Sequence, residues 1–149
     1  MVVKIPEKEY KKILENIPVC CVDIVVCHNN KVILILRKTK PVKDKWWLPG
    51  GRIYKNEKLE EAAIRKVYEE IGLKVRIEKK IGVYETMFHD GPFNDFGVHT
   101  INICFLAKSE ENPSIKLNKH HLKYKWIVKI EKDLHPYLKQ VLKDSQIFD

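Results

Sequence analysis

Glu57, Arg65, Glu69 and Glu70 follow closely on a Pro49-Gly50-Gly51 turn. Adjacent carboxylates offer hard oxygen ligands to a divalent cation, and an arginine offers a fixed fork to a carboxylate or phosphate. Two successive glycines let the backbone approach a ligand closely. The element that must position these groups is a helix. Lys58 to Ile71 contains no Gly or Pro and is rich in Glu, Lys, Ala and Leu. Asn56 stands where an N-cap is expected, and Gly72 is the usual stop. Leu59, Ala63, Val67 and Ile71 form the inward stripe, with Ile64 beside it. Glu70 projects at the edge of that stripe, where a carboxylate needs a cation, a hydrogen-bond donor or water. Read alone, the charges amount to two ordinary helix pairs, Arg65 with Glu69 and Lys66 with Glu70.

The spacing carries more. Gly51, five residues, Glu57, seven residues, Arg65, then Val67, Glu69, Glu70, Gly72 and Leu73 resembles the Nudix hydrolase box. That pattern is G-x5-E-x7-R-E-U-x-E-E-x-G-U, with U aliphatic. One defined position departs from it: Lys66 stands where the family has Glu. The box covers Gly51 to Leu73, and weaker similarity runs from Pro18 to Trp126. The resemblance implies an α/β fold, a Nudix-type α/β/α sandwich with a mixed central sheet. It also implies Mg²⁺, with Mn²⁺ as the alternative ion, held by Gly50 and Glu70 and less firmly by Glu69. Glu57 would orient Arg65, and the chain would form a homodimer.

One subgroup lacks the missing Glu: the GDP-mannose mannosyl hydrolases, which attack the sugar C1 with a late His as base. The chain is similar to them in Asp23, in Arg37 within LRKTKP, in a Trp-rich run into PGGR, in the loop FHDGPFNDFGVH and in HHLKYKW. That likeness implies His121 as base, Arg37 and Arg52 as stabilisers of the departing diphosphate, and Asp23 near the sugar. An imidazole of pKa about 6.5 can take a proton from water near neutral pH. Two positions depart from the subgroup: His120 replaces a Gln or Glu, and Thr100 stands where a Tyr assists the leaving group. The expected function is hydrolysis of a nucleoside diphosphate sugar. The alternatives are an ADP-ribose-type pyrophosphatase attacking phosphorus, and a catalytically inactive fold that binds nucleotide or RNA. Lys66 and the charge of +8 favour the last; the retained Arg65, Glu69, Glu70 and Gly50-Gly51 oppose it.

The rest of the chain is ordinary for such an enzyme. Its 149 residues suit one domain, 1–149, with a real core. There is no transmembrane-length apolar run and no signal-peptide pattern, so a cytoplasmic location is expected. The net charge of +8 is spread over scattered lysines, which argues against a nucleic-acid partner and for a solvated surface. Cys20, Cys21, Cys27 and Cys104 lack zinc spacing and are expected to be buried free thiols.

The remaining elements follow from periodicity. Pro6 to Leu14 reads as a short amphipathic helix with Tyr10, Ile13 and Leu14 inward. Pro18 to Cys27 and Val32 to Leu36 read as strands around the turn His28 to Lys31. Asp23 interrupts the first, either as a structural partner or as a catalytic group. Lys38 to Lys45 is a polar loop, and Trp46 and Trp47 should pack beneath the glycine turn. Arg52, on an expected strand to Tyr54, is either an exposed cation or a phosphate ligand. Strands are expected over Val75 to Tyr84, Val98 to Leu106 and Leu122 to Val128, with an edge strand near Ile115. Met87 to Gly97 reads as a loop and Lys132 to Lys143 as the last helix.

Overall fold

The computed structural model describes residues 4–93, 96–110 and 112–148. The elements are α1 (Glu7–Asn16), β1 (Val19–His28), β2 (Lys31–Arg37), β3 (Trp46–Trp47), β4 (Gly50–Arg52), α2 (Leu59–Ile71), β5 (Val75–Phe88), β6 (Val98–Ser109), β7 (His121–Ile127) and α3 (Pro136–Ser145). The main sheet order is β3-β2-β1-β6-β5, with β4 also on β1 and β7 on β2. β1 and β6 run parallel and the other pairs antiparallel, so the sheet is mixed. This is the expected α/β sandwich.

Alternation along β1 separates two cores. Val22, Ile24 and Val26 face α2, packing with Ile33, Ile35, Phe105, Ala63, Val67 and Ile71. Val25 and Cys27 face α3, packing with Leu34, Cys104, Leu106, Leu138, Val141 and Leu142. Each fully buried aliphatic side chain contributes about 1.5–3 kcal/mol, so the sheet is clamped from both faces. Asp23 belongs by parity to the α3 side, where α1 and the loop Lys38–Lys45 leave an opening.

The β1–β2 turn has Asn29 and Asn30 at φ 50° and 59°. Both residues are left-handed, as a two-residue hairpin turn requires, and Asn tolerates that region better than most.

Several expectations shift. Asn56 is not the N-cap: it has φ 66° in the preceding turn, and Lys58 holds the cap position, its N–H donating to Glu61 at 3.2 Å. Ile64 is exposed and Ala62 takes its place in the stripe. The strand expected at Arg52 to Tyr54 lies earlier, over Gly50–Arg52, because it is Gly50, Gly51 and Arg52 that pair with β1. β5 runs on to Phe88, so the expected loop starts later, and Asn94 and Asp95 within it lie outside the described residues. The last helix begins at Pro136, where His135 Nδ1 accepts from the Tyr137 N–H at 3.1 Å. Of the thiols, Cys27 and Cys104 are buried, but Cys20 is exposed near the open start of β1.

No strand forms near Ile115. That segment instead serves the end of α2: Lys116 N–H donates to the Ile71 carbonyl at 2.8 Å and Asn118 N–H to the Glu70 carbonyl at 3.1 Å. The last carbonyls of a helix lack intrahelical partners, and this strap supplies two. It then delivers the start of β7 to the side of α2. Among the described residues no helix is long and apolar enough to cross a membrane.

Candidate active site

The glycine turn is fixed from both sides. Gly50 pairs with Asp23 across β4 and β1, and a Cβ there would collide with Asp23 Oδ1 and the Val22 carbonyl. Gly51 has φ 153°, and a Cβ would lie 2.6 Å from Lys66 Cε. The end of Lys66 could move aside, but L side chains rarely adopt the Gly51 φ, so both positions call for glycine.

Behind the turn, Arg65 is bound in a bidentate fork. Its Nε and Nη2 donate to Glu57 at 2.6 and 2.9 Å, Nη2 donates to the Arg52 carbonyl at 3.0 Å, and Nη1 reaches Glu69 at 3.1 Å. The guanidinium lies 3.8 Å from the Tyr54 ring centroid. The Arg65 fork holds the Glu57 carboxyl below its ordinary range. Arg65, one of the expected catalytic residues, thus ties α2 to the chain just after the glycines. The expected Lys66–Glu70 pair is replaced. Lys66 Nζ lies 3.5 Å from Glu69, and Glu70 turns inward.

Glu70 is 5% exposed, unusual for a carboxylate. Its Oε1 accepts from the Gly50 N–H at 2.6 Å, and its Oε2 lies 2.7 Å from His121 Nε2. Burial raises the Glu70 pKa, but His121, Lys66 and the Gly50 N–H outweigh it and leave the group below its usual value. His121 is therefore placed beside the box carboxylate rather than on a separate wall. Its side chain is fully buried, and among the described residues Nδ1 has no partner. A buried ring nitrogen without a partner is unusual.

An opening lies across the glycine turn from Glu70. Arg37, Arg52, Gly50, Gly51 and Asp23 line it, together with Tyr10, Trp47, Phe88 and Tyr137. Its floor is polar: Thr86 and Thr100 hydroxyls are 2.6 Å apart, and Asn102 Nδ2 donates to Thr86 at 3.1 Å. Arg37 Nε donates to the Pro41 carbonyl at 2.9 Å, holding the guanidinium against its own loop. Burial pulls the Arg37 pKa down, opposed by Glu70 and Asp23. Arg52 lies over both Tyr10 and Tyr54, 5.3 and 5.0 Å from their centroids, so it is held rather than loose. Asp23 Oδ2 accepts from Tyr137 Oη at 2.5 Å. Burial pushes Asp23 up to about 7, with the Tyr137 hydrogen bond opposing.

The structure thus joins Glu70 to Gly50 and His121, holds Glu69 with Arg65 and Lys66, and lines one pocket with Gly50, Asp23, Arg37 and Arg52. The NUDIX domain profile matches residues 19–141. The chain is a Nudix hydrolase. A low-salt glycan biosynthesis protein, Agl8, of Haloferax volcanii is 29% identical over 140 residues, spanning 93% of this chain and 89% of that one. An ADP-ribose pyrophosphatase of Methanocaldococcus jannaschii is 36% identical over 66% of this chain and 54% of its own. The crystal structure of a MutT Nudix hydrolase from Burkholderia pseudomallei shares the fold, with TM-score 0.68, 22% identity and coverage of 87% and 98%.

Nudix enzymes generally use a divalent metal, and this chain's donor set suits one. Among the described residues no group of three His, Cys, Asp or Glu side chains is placed to hold a metal ion. What the site has is the Glu70 carboxylate on the Gly50 backbone, with Glu69 next to it in sequence and paired with Arg65 and Lys66. Each Glu70 oxygen has one hydrogen-bond contact and retains a free lone pair. Sequence reasoning missed Tyr137, Thr86 and Asn102. The first comes from a helix at the far end of the chain. The other two are single polar residues in strands, without motif spacing.

Proposed function

We propose that this Nudix hydrolase cleaves a nucleoside diphosphate sugar, with GDP-mannose the first candidate, by attack at the sugar C1. The observation that carries this reading is the pocket's lining. Arg37 and Arg52 bring two cations to a lining that Asp23, Thr86, Thr100 and Asn102 make rich in carboxyl, hydroxyl and amide groups. Cations suit a diphosphate; clustered hydroxyl, amide and carboxyl groups suit a sugar, whose hydroxyls must be paired once buried. The relation to a glycan biosynthesis protein supports the same substrate class.

Glu70 and Glu69, with the Gly50 backbone, would hold Mg²⁺ or Mn²⁺, which when bound supplies positive charge to the diphosphate and leaving group. Arg37 and Arg52 bind the departing diphosphate, and Arg65 keeps Glu57 and Glu69 in place. Asp23 accepts from Tyr137 and turns its second oxygen toward Gly50, orienting the sugar end. His121 is the base of this reading, and to reach water it must release Glu70. The exposed Val83 and Met87 on the edge strand β5 support a homodimer, which sedimentation equilibrium would test.

The second reading is attack on phosphorus, as in an ADP-ribose-type pyrophosphatase. The position of His121 favours it, since His121 sits on Glu70 and not in the pocket. One experiment separates the two: a panel of nucleoside diphosphate sugars and ADP-ribose, hydrolysed with Mg²⁺ in ¹⁸O-water and followed by phosphorus NMR. Carbon attack gives nucleoside diphosphate and labelled sugar. Label in a phosphate, with nucleoside monophosphate as product, establishes the second reading. No turnover of any member leaves a binding module.

A further inference from the structure

Lys66 is the one departure from the box, and its place in the structure is specific. The side chain is 18% exposed, and its stem runs across the face of Gly51. A Cβ on Gly51 would come 3.0 Å from Nζ, so the ammonium stands directly over the glycine turn. Among the described residues its one hydrogen-bond acceptor is Glu69, at a long 3.5 Å. An ammonium has three N–H donors, so donors remain for a ligand. Its charge also acts on Glu70, Glu57 and Cys21, which surround the turn.

The geometry points to Lys66 as a tethered cation that binds a diphosphate oxygen over Gly51 and stands in place of a second divalent ion beside Glu69. The proposal rests on the reading that the substrate carries a diphosphate. Two-metal sites place their ions about 3.5–4 Å apart between carboxylates. Here an ammonium already occupies the neighbourhood of Glu69, where it repels a second divalent ion. A lysine is a compact point charge on a flexible stem, suited to a phosphate oxygen. The metal demand of the site is thereby reduced to one ion, at Glu70.

The test uses the full chain and two probes. Inorganic pyrophosphate is titrated calorimetrically in EDTA, and Mn²⁺ is titrated alone and followed by electron paramagnetic resonance. The wild-type chain should bind pyrophosphate without metal and take one Mn²⁺. Lys66→Met should weaken pyrophosphate by about tenfold or more, and Lys66→Arg, which keeps the charge, should stay within about threefold. Lys66→Glu should gain a second Mn²⁺. Thermal melts of each variant check that it is folded. Equal pyrophosphate binding by wild type and Lys66→Met, or two Mn²⁺ on the wild type, overturns the proposal. A loss of pyrophosphate binding in Lys66→Met, alongside a wild type that turns over no nucleoside diphosphate sugar, removes the substrate reading and leaves the role of Lys66 standing.

Discussion

His121 Nε2 lies 2.7 Å from Glu70 Oε2, across 51 residues of chain. The contact joins the first residue of β7 to the last turn of α2, and both side chains are buried. It is made because the strap after β6 caps the end of α2 through the carbonyls of Glu70 and Ile71. The same peptide units that satisfy the helix end thus set the position of the histidine.

Glu70→Gln isolates the charge of this carboxylate. The amide oxygen can still accept from the Gly50 N–H, and the amide nitrogen can face His121, so both hydrogen bonds survive. Thermal stability should therefore change little. Mg²⁺-dependent turnover should fall by roughly 100-fold or more, because an anionic oxygen ligand is lost. Full Mg²⁺-dependent turnover in this variant would reject Glu70 as ligand.

Gly50→Ala tests the packing of the turn. The added methyl meets both Asp23 Oδ1 and the backbone carbonyl of Val22. A side chain could rotate away, but the β1 backbone cannot. Chemical denaturation should show a loss of about 1–3 kcal/mol, the usual cost of overpacking. Removing the side-chain half of the clash with Asp23→Ala in the same chain should restore only part of it.

Much of this site was legible because it is local. The helix, its glycine stop and the Arg65–Glu69 pair follow from spacing along one element, and Asp23 stood out as a carboxylate within an apolar strand. The N-cap was misplaced for a local reason too: Asn56 suits the cap by type but was taken up by a left-handed turn, leaving Glu61 to serve Lys58. The inward turn of Glu70 was visible as a carboxylate beside the apolar stripe; its partner was not. That partner depends on the strap 112–118, which periodicity alone read as an edge strand. Tyr137 reaching Asp23 across 114 residues is a tertiary contact with no local signature.

Asp23 makes stability depend on pH. Its folded value of about 7 lies above the ordinary 3.8, so the folded chain binds this proton more tightly than the unfolded chain does. The contribution is fully present below about pH 4 and is lost as pH rises through about 7. Asp23→Asn keeps an oxygen for Tyr137 but cannot ionise. The melting temperature of the wild type should fall from about pH 5 to pH 8 relative to the variant. Parallel curves for the two proteins over that range would show that Asp23 is ionised throughout.

His121→Gln bears on which bond is broken. If His121 is the base for attack at C1, kcat should fall about 10²–10⁴-fold. The Michaelis constant should hardly move, because His121 does not line the pocket where Arg37, Arg52 and Asp23 stand. If His121 only orients Glu70, the loss should be about 10–100-fold and should appear as weaker Mn²⁺ affinity as well. Titrating Mn²⁺ into the variant therefore distinguishes the roles independently of rate. The isotope experiment completes the argument. A large fall in kcat with unchanged Mn²⁺ affinity, together with ¹⁸O in the sugar, is the expected result. Oxygen label in a phosphate, with reduced Mn²⁺ affinity, would instead make His121 a positioning residue of a phosphorus-attacking enzyme.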